Sequence, residues 1–178
     1  GLPVPHVLAD NGITHLRFAL LGWVLLLIMG VSYQIIPMFH VTPDYPAKLR
    51  KLLPSAVFAA LTVLLLGRTA WLTYAATSVL ILAAGIYVLL SFYLFQQRKR
   101  KVTDYTIRFW QLGLSCLLLA LLGYLLSTLN LLEPDVANEM QWGILMILGF
   151  AISIMLGALY KIVPFLSWLH LQQACLNN

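Results

Sequence analysis

Long apolar runs, broken by short polar clusters, organise the whole chain. A helix rising 1.5 Å per residue needs about 20 mainly apolar residues to cross a bilayer. Five runs qualify, from about His15 to Phe39, Lys51 to Gly67, Ala70 to Phe95, Thr106 to Leu129 and Gln141 to Leu166. The second is short, and it meets the third across Gly67-Arg68-Thr69, which reads as a tight turn. Nothing else in the chain is long enough to fold separately. The pattern predicts an all-α membrane protein with one domain over residues 1–178, a bundle of five transmembrane helices.

Composition narrows the class further. The chain has 178 residues, 61% hydrophobic and 10% charged, against about 45–50% and about 25% in soluble domains. An ordinary water-soluble enzyme, a disordered chain and a disulfide framework are excluded. The net charge of +5 lies mostly in connections between apolar runs. That is where topology signals sit, so it points to a lipid bilayer and not to nucleic acid. Two cysteines, Cys116 within a span and Cys175 near the end, do not indicate a thiolate metal site.

Lysine and arginine set the expected direction. Lys48, Arg50 and Lys51 occupy the first connection, and Arg98, Lys99, Arg100 and Lys101 the third, with Arg108 just inside the next span. Five spans put both connections on one side, which reads as cytoplasmic. The other side holds Glu133, Asp135 and Glu139, with Arg17 and Arg68. The N-terminus is then outside and the C-terminus inside. The Arg98–Lys101 run reads first as an inside anchor and second as a lipid head-group site. An outside N-terminus that starts at Gly1 without a signal segment implies a removed start or a longer protein with an earlier span.

The first and fifth spans match each other. Gly22, Gly30, Tyr33, Ile35 and Pro37 recur as Gly149, Gly157, Tyr160, Ile162 and Pro164, each 127 residues later. Both spans run in the same direction, so the repeat is parallel with a unit of four helices. Glycine at these positions lets a second helix approach closely, and Gly149, Ser153 and Gly157 form a small-residue face. Pro37 and Pro164 each free a carbonyl one turn earlier, which should bend or end the helix. Gln34 and Lys161 are repeat equivalents; Lys161 reads as snorkelling to the cytoplasm, with a buried polar role as the alternative.

Candidate chemistry is sparse. His6 precedes the first span, His15 opens it, and His40 and His170 follow the first and fifth spans. His15 and His40 are 25 residues apart, roughly 37 Å along a helix, so they cannot share a metal. No phosphate loop, dinucleotide fingerprint or hydrolase triad is present. His15 stands out, because imidazole is a common axial ligand of haem iron and Arg17 beside it could pair with a propionate.

The stretch His15-Leu-Arg-Phe-Ala-Leu-Leu-Gly22, followed by Gly30, Pro37 and Pro43-Asp44, resembles the second helix of haem–copper oxidase subunit I. That family carries a haem-binding His at the outer end of this helix and is built from four-helix units. The strings GVSYQIIPMFHVTPDYP and GALYKIVPFLSWLHLQ also resemble bacterial membrane proteins related to the superfamily, among them the haem- and copper-containing NnrS proteins linked to nitric oxide. The resemblance implies a haem-binding protein of redox or nitric-oxide-related metabolism in a bacterial inner membrane. It implies His15 as the haem-iron ligand, Arg17 as a cofactor-binding residue, and electron transfer alongside other membrane subunits or the remainder of a longer chain. In the family Asp44 matches the entry of a proton path; here it reads first as a loop residue. The copper-binding His expected in the fifth span is missing, and Trp142 stands at the repeat position of His15. Oxygen reduction by this chain alone is therefore not implied. Two readings from other classes are a transporter or permease, suited to repeats and broken helices, and a non-catalytic packing subunit of a larger membrane complex.

The charge bias predicts topology directly. In intact cells, Asn138→Cys should label from outside and Thr103→Cys should be protected. The opposite pattern would invert the bundle.

Overall fold

The computed structural model describes residues 15–66, 69–99, 104–129, 131 and 136–176. Within these, five helices are long and apolar enough to span a membrane: α1 (His15–His40), α2 (Ala47–Leu66), α3 (Ala70–Gln96), α4 (Tyr105–Thr128) and α5 (residues 136–176). The chain is an all-α bundle with no strand among the described residues. His6, most of the Gly67–Thr69 turn, Arg100, Lys101, Glu133 and Asp135 lie outside the described residues.

Each helix packs against its neighbour in sequence, and α1 returns to touch α5. Up-and-down packing with short connections follows from spans of alternating direction. The core gathers Leu25, Met29 and Ile36 of α1, Tyr87 of α3, Trp110 and Leu114 of α4, and Phe150 of α5, all fully buried. Outward-facing Leu, Ile and Phe side chains remain exposed on every helix, as expected where lipid replaces water.

Two boundaries differ from the sequence expectation. The second helix begins at Ala47 instead of Lys51, because Lys48 and Arg50 continue the helical turn at the membrane boundary. Pro164 does not end the fifth helix, which runs on to Leu176. The proline removes one hydrogen bond, but the turns on either side carry the helix through. From Val163 to Gln173 its side chains are exposed, with Phe165 packed edge-on against Phe39 of α1 at 5.7 Å between ring centres.

The repeat has a structural counterpart. Residues Phe18–Val24 of α1 and Leu145–Ile152 of α5 are both π-helical, and an offset of 127 maps the first onto the second. A π-bulge inserts about one residue, which rotates the preceding turn by roughly 100° relative to an unbroken helix.

Glycines decide how closely helices meet. A Cβ on Gly157 would lie 3.0 Å from the Phe109 Cβ and 3.2 Å from the Thr106 carbonyl oxygen. One on Gly149 would lie 2.7 Å from Cys116, and one on Gly113 would lie 2.7 Å from Ile154. A side chain on Gly123 would overlap the Trp142 ring. The α4–α5 seam is thus built from glycine on both sides. Gly30, the repeat equivalent of Gly157, has nothing within 4 Å.

This contrast predicts opposite tolerance at equivalent positions. Gly157→Leu should lower detergent stability by about 1–3 kcal/mol through overpacking. Gly30→Leu should leave melting near wild type. Equal melting of the two variants would contradict the close-contact seam.

Candidate functional site

Polar side chains collect at the end of the bundle that carries Lys48, Arg50, Lys51 and Arg98. Helix α1 ends at His40, and the next residue, Val41, is left-handed with φ 51°. A β-branched residue there is strained by about 1–3 kcal/mol. The Val41 carbonyl accepts the Lys99 N–H at 3.1 Å, which ties the first connection to the third. The same turn brings Tyr45 back under the bundle, where it is buried.

Tyr45 belongs to a hydroxyl network between α1 and α3. Ser91 donates to the Tyr87 carbonyl at 2.7 Å, so the Tyr45 hydroxyl donates to Ser91 at 2.8 Å. Tyr87 donates to Ser32 at 3.1 Å, and Ser32 to the Met29 carbonyl at 2.8 Å. Each chain of donors ends on a backbone acceptor, which satisfies groups that would be costly unpaired. Burial pushes the Tyr45 phenol up to about 12, so it stays a donor. Tyr33 packs edge-on to Tyr45, with ring centres 4.8 Å apart.

Asp104 joins three helices beside this network. It caps α4, accepting the Thr106 amide at 3.0 Å and the Thr106 hydroxyl at 2.6 Å. Its other carboxylate oxygen meets the Lys161 ammonium of α5 at 2.5 Å and the His40 ring of α1 at 3.8 Å. Partial burial by itself would raise the Asp104 carboxyl. Lys161 and the two Thr106 donors outweigh burial and hold it at about 2. His40 is only 4% exposed, stands edge-on to Phe95, and neither ring nitrogen has a hydrogen-bond partner.

Lys161 pairs with the Asp104 carboxylate, both side chains being partly buried. His40, at the end of α1, is buried against Phe95 of α3 and the Asp104 cap of α4, and no pattern in the sequence links it to Asp104. The available signal for Asp104 itself was the cap pattern Asp104-Tyr-Thr106 ahead of an apolar run.

His15 and Arg17 sit at the opposite end. His15 is exposed and Arg17 is half-buried. The Arg17 guanidinium lies 5.6 Å from the centre of the Tyr124 ring, a cation–π contact. Arg17, Tyr124, Trp142 and Met146 line an apolar cavity of about 140 Å³ between α1, α4 and α5; His15 is not part of its wall. His15 is exposed before the π turn, and Trp23, Leu27, Gly30, Gln34 and Met38 are exposed along the rest of α1.

Of these residues His15 would be the one to hold a haem iron, through an exposed imidazole, and Arg17, turned toward Tyr124, would offer charge to a carboxylate. The cavity is smaller than the roughly 300–1,000 Å³ of pockets that enclose small-molecule ligands, so the group is not enclosed by this chain. Among the described residues no cluster of three or more His, Cys, Asp or Glu could hold a metal ion.

Asp104 makes separable contributions to stability. Asp104→Asn keeps the cap and loses the charge, and should cost up to about 1 kcal/mol. Asp104→Ala loses the cap as well and should cost about 1 kcal/mol more. Because the folded carboxyl titrates below its ordinary value of 3.8, the charge contribution is full above that pH and is lost as pH falls toward about 2. Detergent melting of wild type and Asp104→Asn across this window should converge at the acid end. Comparison of the chain with protein-family models, with curated proteins and with solved structures finds no match, so its function is argued from this geometry.

Proposed function

We propose that this chain is a haem-binding block of a membrane redox assembly, resembling part of a haem–copper oxidase subunit I-like bundle. His15 would hold the haem iron from an exposed position at the end of α1, and the haem would supply one-electron chemistry there. The carrying observation is the position of His15, exposed at the end of α1 away from the basic connections, on the outward face of the bundle. A second ligand to the iron would come from another subunit or from further sequence.

The chain's own residues divide the work. His15 presents a ring nitrogen to iron. Arg17 is held in place by Tyr124 and supplies positive charge for a carboxylate. Trp23 and Leu27, exposed below it, exclude water from that face. The reading places the protein in a bacterial inner membrane with Arg50 and Arg98 on the cytoplasmic side, His15 on the outer side, and substrate chemistry of the redox or nitric-oxide-related kind. His40, Asp104 and Lys161 then work as a clasp at the cytoplasmic end, away from the haem.

A reduced-minus-oxidised absorption spectrum of the purified protein tests the proposal. Wild type should show haem bands. His15→Ala should abolish or shift them while inserting normally, and His170→Ala should leave them unchanged. Arg17→Ala should shift the spectrum less than His15→Ala, because a propionate partner orients the group without holding the iron. Absence of haem from the wild type, or an unchanged spectrum in His15→Ala, would overturn the assignment.

A further inference from the structure

The exposed face of α1 changes character at its basic end. Beside Gly30 opens a pocket of about 600 Å³, lined by Tyr33, Gln34, Thr42, Asp44 and Arg50. That volume lies within the range of ligand-binding pockets, roughly 300–1,000 Å³. It differs from the cavity beside Arg17 in being dominated by polar groups. It also differs from the Asp104 cluster, whose charges are already paired.

The lining groups are unspent. Asp44 and Arg50 share the pocket, yet among the described residues neither forms an ion pair. Pro37 has no N–H, so the carbonyl of Tyr33 one turn earlier lacks its helical donor. Thr42 uses its hydrogen on the Pro43 carbonyl at 3.2 Å, which leaves its oxygen free to accept. Four acceptor groups, a carboxylate, a freed carbonyl, a hydroxyl oxygen and the Gln34 amide oxygen, thus share the pocket with the Arg50 guanidinium and the Gln34 NH₂. This set suits a ligand carrying an ammonium with three N–H donors together with one anionic group. Arg50 suits a phosphate, which it can hold bidentately.

The location selects the source of that ligand. The pocket lies where α1 ends and α2 begins, at the end of the bundle that carries Lys48 and Lys51, where a helix spanning a bilayer would meet lipid head groups. Met38 lines the pocket itself, and beside Gly30 the side chains of Leu27 and Val31 are exposed at 54% and 43%, an apolar stretch of α1 next to the polar groups. Gly30 keeps the junction open, with no atom near its missing side chain.

We infer that this pocket is a binding site for the phosphoethanolamine head group of an aminophospholipid. The phosphate lies on Arg50, the ammonium on Asp44 and the freed Tyr33 carbonyl, and an acyl chain lies along Val31 and Leu27. A choline head group cannot donate hydrogen bonds to Asp44, and a glycerol head group lacks the cation. The inference does not depend on haem or on His15.

Native mass spectrometry of the purified chain tests it, after equilibration with equal amounts of phosphatidylethanolamine, phosphatidylcholine and phosphatidylglycerol of identical acyl chains. The ethanolamine lipid should be retained about tenfold over each of the others, the discrimination expected of one charge-assisted hydrogen bond. Asp44→Asn should bring ethanolamine and glycerol lipids to parity. Arg50→Gln should remove most adducts of all three. Gly30→Leu should remove them while leaving the melting temperature near wild type, which separates loss of the site from loss of the fold. Excess free phosphoethanolamine should fail to displace the lipid. Equal retention of the three lipids, an unchanged preference in Asp44→Asn, or displacement by free phosphoethanolamine would overturn the assignment to a lipid site.

Discussion

Close backbone approach between α4 and α5 is the constraint on which the rest of the bundle depends. In lipid there is little hydrophobic gain in bringing two apolar helices together, so contact area and the absence of intervening side chains decide. Gly113 and Gly123 on α4 and Gly149 and Gly157 on α5 remove those side chains at four levels of the seam. Trp142, Cys116, Ile154, Phe109 and Trp110 occupy the space released. Because α4 and α5 are fixed at this separation, Lys161 of α5 falls within reach of the Asp104 cap of α4. The position of α1 follows, since its terminal His40 packs into the angle between Asp104 and Phe95.

Polar groups mark where this packing is secured. The Tyr45–Ser91 and Tyr87–Ser32 pairs carry their hydrogen bonds to backbone carbonyls, so burying four hydroxyls leaves none of them stranded. The strained Val41 is held by the Lys99 amide and by the buried Tyr45 a few residues on. These contacts bring both basic connections to one end of the molecule. At that end one set of charges, around Asp104, is internally paired, whereas another set, Asp44 and Arg50, faces outward.

The internal repeat gives this asymmetry its meaning. Gly30 and Gly157 stand at equivalent places in equivalent helices, and both follow a π turn. Gly157 is enclosed by α4, whereas Gly30 looks out of the bundle. The same local sequence thus serves as a packing seam in α5 and as the mouth of a pocket in α1. His15 and Trp142 diverge in the same way: the aromatic ring packs over Gly123, while the imidazole stays exposed.

Sequence alone determined the features that depend on local averages. Apolar runs of about 20 residues define the five spans, because insertion is read over that length. Fixed spacing of Gly, Tyr and Pro defines the repeat, and the small-residue face at Gly149, Ser153 and Gly157 forecasts a close helix contact. Tertiary structure decided whatever depends on partners distant in the chain. Nothing local distinguishes Gly30 from Gly157, and only the presence of α4 beside one of them does. Asp104 reads as a cap from its neighbours, but its pairing with Lys161 and His40 spans three helices. The course of α5 past Pro164 is decided in the same way: proline removes a single hydrogen bond, and the flanking turns decide whether the helix survives it. Short-range chemistry fixes what each segment can be; the geometry of the bundle fixes which of its groups are spent and which remain free to act.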